Sequence, residues 1–107
     1  MRDLAANPQL CSVNTATLGF QAPIRDVIDA VARAGFGGIA PWRREVEGGD
    51  VKAIARHIRD AGLSVSCYCR STYIPATTTA EFDANVSANK RAIADAATLG
   101  AACFVMV

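Results

Sequence analysis

At 107 residues the chain has room for one domain with a real core and little more. Eleven lysines and arginines stand against ten acidic residues, and the formal charge of +1 supplies neither a basic field for nucleic acid nor an acidic one for cations. Hydrophobic residues make up 51% of the sequence, yet charges interrupt every long apolar stretch, which argues against a signal peptide or a membrane span and predicts a cytoplasmic protein.

In chain order, "LCSVNTATL" reads as a first strand near 10–18. Pro23 opens a first helix near 23–34, with Ile24, Val27, Ile28 and Val31 on one stripe and Gly35 suited to the left-handed position that ends it. A second strand near 37–42 meets Pro41, which cannot donate to a ladder. Asp50 caps a second helix near 50–61 that presents Val51, Ile54, Ala55 and Ile58 and closes at Gly62. The run "SVSCYCR" forms a third strand near 64–70, and simple alternation sets Val65, Cys67 and Cys69 on one face and Ser66, Tyr68 and Arg70 on the other. "STYIPATTT" has no apolar period and reads as a surface loop. Thr78 and Glu81, in capping-box spacing, open a third helix near 79–99 with Phe82, Val86, Ile93 and Ala97 as its apolar stripe and Gly100 at its end. The closing "CFVMV" reads as a fourth strand near 102–107.

Three helices that each end in glycine and lead directly into a β-rich run imply parallel strands with right-handed crossovers. An open doubly wound sheet commonly carries a glycine-rich turn after its first strand; here "NTATLGFQAP" offers only Gly19, and "GFGG" precedes a strand instead of following one. The expected fold is therefore α/β, with residues 1–107 as one partial domain: the amino-terminal half, four strand-helix units, of a TIM (β/α)8 barrel. A strand at the end of such a half leaves an open sheet edge, a surface suited to self-association.

In parallel barrels the chemistry sits at the carboxyl ends of the strands. Four residues there are candidate substrate contacts: Asn14 on the first strand, Trp42 and Arg43 after the second, and Arg70 at the end of the third. Trp42 suits the apolar wall of a sugar pocket, and the arginines suit a phosphate or carboxylate. A tryptophan capping a core beside solvated arginines is the competing account. His57, the only histidine, falls on a helix surface away from the strand ends. Cys11, Cys67, Cys69 and Cys103 read as reduced, packed thiols, since Cys67-x-Cys69 lacks the second ligand pair of a zinc site. No acidic residue is expected at a strand end, so no catalytic set and no metal site are assigned to these residues.

At "CSVNTATLGF", "GFGGIAPWRREV" and "AGLSVSCYCRSTYIPA" the chain resembles the sugar phosphate isomerase/epimerase family, the xylose isomerase-like TIM barrels that also include the type IV apurinic endonucleases. That resemblance implies carbohydrate metabolism. It also implies a divalent metal, manganese, magnesium, cobalt or zinc, held in the full-length protein by glutamate, aspartate and histidine on strands beyond residue 107. The metal would polarise carbonyl and hydroxyl oxygens while two carboxylates move the proton. On this reading the chain alone binds no metal and is inactive, and its partner is a small-molecule sugar or polyol, not a nucleic acid or a membrane. Many relatives carry an acidic residue where this chain has Ala40. A dehydratase or lyase on the same barrel, and a non-catalytic half-barrel that binds a ligand or assembles with a partner, are the alternatives.

Overall fold

The computed structural model describes residues 1–107. Three short parallel strands, β1 (Ser12–Asn14), β2 (Gly38–Ala40) and β3 (Ser64–Val65), lie side by side in the order β1-β2-β3, with Val13 opposite Ile39 and Ile39 opposite Val65. Between them run α1 (Ile24–Arg33), the single turn α2 (Arg43–Val46) and α3 (Val51–Asp60), and after β3 comes the long α4 (Thr79–Leu99). No helix is long and apolar enough to cross a membrane.

The apolar stripes dictate the packing. Val27, Ile28 and Val31 of α1, Ala55 and Ile58 of α3, and Ala92, Ala96 and Leu99 of α4 join Ile39, Val65 and Tyr68 in one buried cluster, so the helices cover one face of the sheet. By the two-residue period, Ser12, Asn14, Gly38 and Ala40 belong to the opposite face. There the Ser12 and Ser66 hydroxyls meet at 2.6 Å. The caps form as the sequence dictates: the Asp50 carboxylate accepts the Ala53 N–H, the Thr78 hydroxyl accepts the Glu81 N–H, and Gly35, Gly62 and Gly100 have φ of +87°, +79° and +70°. The Glu81 carboxylate completes the turn on Thr77, not on Thr78.

Several elements differ from the sequence reading. The first strand does not run over 10–18. Pro8–Leu10 is a 3-10 turn, and after Asn14 the chain enters a second 3-10 turn, Thr15–Leu18, because the Asn14 carboxamide accepts the Ala16 N–H and the Asn14 carbonyl accepts the Thr17 hydroxyl. The second strand ends at Ala40, and Arg43 begins α2. The third strand is regular only over Ser64–Val65, because the alternation fails after it: Val65 and Tyr68, three residues apart, both enter the helix-facing core. The fourth strand is reduced to one bridge, Tyr68 with Phe104. Its segment still runs beside the third, with Ala102 N–H bonded to the Val65 carbonyl, Tyr68 N–H to Cys103, and Val105 N–H to Tyr68. In α4 the buried face is Asn89, Ala92, Ala96 and Leu99, whereas Phe82 and Ile93 of the expected stripe stand about half exposed.

Tyr68 is fully buried and its hydroxyl has no hydrogen-bond partner. Burial first, then the negative charges of Asp95 and Glu47, pushes its phenol above the ordinary tyrosine range, with Arg43 opposing. A buried unpaired hydroxyl costs about 1–3 kcal/mol. Tyr68→Phe is therefore expected to raise the unfolding free energy by about 1 kcal/mol or more in urea titration; a less stable variant would show that a hidden partner exists.

Candidate functional site

At the carboxyl end of the strands a cavity of about 570 Å³ opens between the turn after β1, α2 and the segment that follows Cys69. Trp42 and Arg43 come from the end of β2, Arg70 from the end of the third strand, and Phe20 and Tyr73 from the flanking loops. Of the four residues expected from the sequence, three line this cavity and the fourth, Asn14, holds one of the three in place.

Asn14 Oδ1 accepts the Trp42 indole N–H at 2.7 Å while also accepting the Ala16 N–H at 3.0 Å. One carboxamide thus fixes both the turn after β1 and the plane of the tryptophan. The other face of that arrangement is Phe20, whose ring meets Trp42 edge-on with centroids 5.9 Å apart. Phe20 sits at φ +54°, a conformation that a bulky side chain adopts only when its surroundings hold it there.

Arg43 is committed to the scaffold. Its Nε and Nη2 donate to the two oxygens of Glu47 at 3.2 and 2.8 Å, and its Nη1 donates to the Arg70 carbonyl at 3.3 Å and to the Thr72 hydroxyl at 2.9 Å. The guanidinium therefore straps α2 to the loop after the third strand, a positioning role for a residue whose sequence context suggested an anion contact. Arg70 remains directed to the cavity, lying over the Tyr73 ring at 4.8 Å. Arg44, not singled out from the sequence, lines the same cavity and lies over Phe20 at 4.3 Å.

Two acidic residues do reach this strand end, contrary to the sequence reading. The one-turn helix α2 folds the chain back, brings Glu47 into the cavity wall and sets Glu45 behind it against the Trp42 backbone. Glu45 Oε1 accepts the Trp42 N–H at 3.1 Å and a short hydrogen bond from the buried Thr15 hydroxyl, and its second oxygen is buried without a partner. Cys69 also faces the cavity, 3.8 Å from the Cys67 sulfur, and burial followed by that contact raises its thiol to about 11. Burial thus favours its protonated form at neutral pH. No three histidine, cysteine or acidic side chains gather closely enough to hold a metal ion, so the residues present do not make a metal site. His57, on α3 as expected, bonds to Asp29 of α1 at 2.7 Å in the outer helical layer.

Two further residues hold the loop after the third strand. Asn89, buried on α4, accepts the Thr72 N–H at 2.6 Å and donates to the Thr72 carbonyl at 3.1 Å. The Ser71 hydroxyl accepts the Val107 N–H at 2.8 Å. Asn89 shares the three-four register of Ala92, Ala96 and Leu99, a polar residue on the buried face of α4 that the stripe of Phe82 and Ile93 conceals in the sequence.

No family model matches the chain, and no curated protein matches it. Among solved structures it is similar to protein SMc04130 from Sinorhizobium meliloti 1021, at 33% identity and TM-score 0.82, over 90% of this chain and 35% of that one. It is also similar to a D-psicose 3-epimerase, at 14% identity and TM-score 0.72, over 89% of this chain and 36% of that one. A third is a sugar phosphate isomerase/epimerase from Parabacteroides distasonis ATCC 8503, at 21% identity and TM-score 0.63, over 89% of this chain and 37% of that one. The chain thus spans a little over a third of the length of each.

Proposed function

We propose that the chain, similar in fold to a D-psicose 3-epimerase and to a sugar phosphate isomerase/epimerase, is the amino-terminal part of a metal-dependent sugar or sugar-phosphate isomerase or epimerase built on a xylose isomerase-like TIM barrel. The carrying observation is the cavity at the carboxyl end of the parallel strands, with Trp42 fixed by Asn14 as its apolar wall. A rigid indole face beside hydrogen-bonding groups matches the two sides of a pyranose or an open-chain polyol. The metal and the proton-moving carboxylates belong, on this reading, to strands beyond Val107, and the 107 residues supply only one wall of the pocket. The protein works in the cytoplasm on a small molecule, and the open sheet edge is the place where the chain by itself would associate.

The test is an assay of aldose-ketose interconversion and epimerisation on a protein extended downstream by about 150 residues, with manganese and after chelation. Activity in the longer protein that chelation removes, together with none in the 107-residue chain, is the expected result. A folded longer protein that turns over no sugar with any of the four metals would overturn it.

A further inference from the structure

Three guanidinium groups, Arg43, Arg44 and Arg70, and one carboxylate, Glu47, line the cavity. Glu47 is already taken by both ends of the Arg43 fork. The chain's two ion pairs are Arg43 with Glu47 and His57 with Asp29, so neither Arg44 nor Arg70 has a carboxylate at ion-pair distance. Every guanidinium hydrogen bond in the chain belongs to Arg43. Two unpaired cations therefore face one cavity.

Each also stacks on an aromatic ring, although Arg44 and Tyr73 are exposed. Arg44 lies over Phe20 and Arg70 over Tyr73, and each ring is itself part of the cavity wall. Stacking occupies the flat face of a guanidinium and leaves its N–H donors along the edge, aimed away from the ring. A stacked arginine has part of its rotamer freedom restricted beforehand, so less is lost when an oxyanion arrives. The strain at Phe20 fits this arrangement, since the left-handed backbone there holds the ring against both Trp42 and Arg44.

We propose that Arg44 and Arg70 form an oxyanion clamp, so that the substrate carries a carboxylate or phosphate at one end while its polyol part lies along Trp42. This rests on the reading of the cavity as a sugar site. Arg43 is the strap that sets the clamp's spacing, because it joins α2, which carries Arg44, to the Arg70 carbonyl.

Calorimetric titration of the 107-residue chain with inorganic phosphate, gluconate and glucitol tests it. Gluconate and glucitol share one carbon skeleton and differ in charge. At least one of the two anions is expected to bind about tenfold or more tighter than glucitol, and more weakly as ionic strength rises. Binding of phosphate but not gluconate assigns a phosphate end, and the reverse assigns a carboxylate. Arg44→Gln and Arg70→Gln are each expected to weaken the anion about tenfold or more, while Arg44→Lys and Arg70→Lys keep part of the affinity and confirm by circular dichroism that the fold is intact. Glucitol bound as tightly as gluconate, no anion bound at all, or anion affinity unchanged in both glutamine variants would overturn the clamp and leave the isomerase reading standing. Anions held through both arginines by a protein whose extended form interconverts no sugar would sustain the clamp and overturn that reading.

Discussion

Asn89→Leu is expected to lower the unfolding free energy by about 2–3 kcal/mol and to weaken any ligand bound in the cavity. Leucine fits the apolar register of α4, so the loss comes from the partners it abandons: the Thr72 N–H and carbonyl, each held by Asn89. Each unpaired backbone group costs about 1–3 kcal/mol, and half-buried Thr72 recovers part of that from water. Thr72 also receives Arg43, so freeing it loosens the strap under Arg70. Urea denaturation measures the first effect and titration with gluconate the second. An equally stable variant would show that the loop is held from elsewhere.

Gly37→Ala is expected to be at least as damaging, about 3 kcal/mol, for a steric reason alone. A Cβ at this position would stand 2.0 Å from the Gln9 carbonyl oxygen. That oxygen belongs to the turn Pro8–Leu10, and the neighbouring Cys11 carbonyl accepts the N–H groups of both Gly37 and Gly38. Relief therefore means prising the amino-terminal turn off the entry to β2 and loosening those bonds. The expected readout is a melting temperature lower by roughly 10 °C or more with unchanged far-ultraviolet helix content, checked by circular dichroism; an unshifted melt would show that the amino-terminal turn moves aside at no cost.

What was legible in the sequence was whatever one residue decides locally. Asp50 and Thr78 cap their helices, Gly35, Gly62 and Gly100 end theirs in the left-handed region, and the stripes of α1 and α3 face the sheet. Parallel topology followed from the order of the elements alone. Where side chains compete with backbone the reading failed: Asn14 diverts the chain after three strand residues, a choice that strand propensity at Thr15 and Thr17 conceals. Tyr68 lies with Val65 because the irregular stretch between them shifts the face, and no period-two pattern announces such a shift. In α4, Phe82 and Ile93 are apolar enough to suggest a stripe, yet close packing against α3 selects the small Ala92 and Ala96. Trp42, Arg43 and Arg70 could be placed beside the cavity from the sequence because each stands at or just after the end of a strand. Arg44 and Asn89 were missed because their roles depend on which partner the fold delivers, Phe20 for one and Thr72 for the other.

The indole held by Asn14 is the chain's one tryptophan. Its fluorescence therefore originates in the cavity wall, with a hydrogen-bonded ring nitrogen, a neighbouring phenylalanine edge and a charged guanidinium beyond it. Excitation at the red edge of the aromatic band bypasses both tyrosines, so emission maximum, quenching by iodide and anisotropy all describe the pocket and not the average of the molecule.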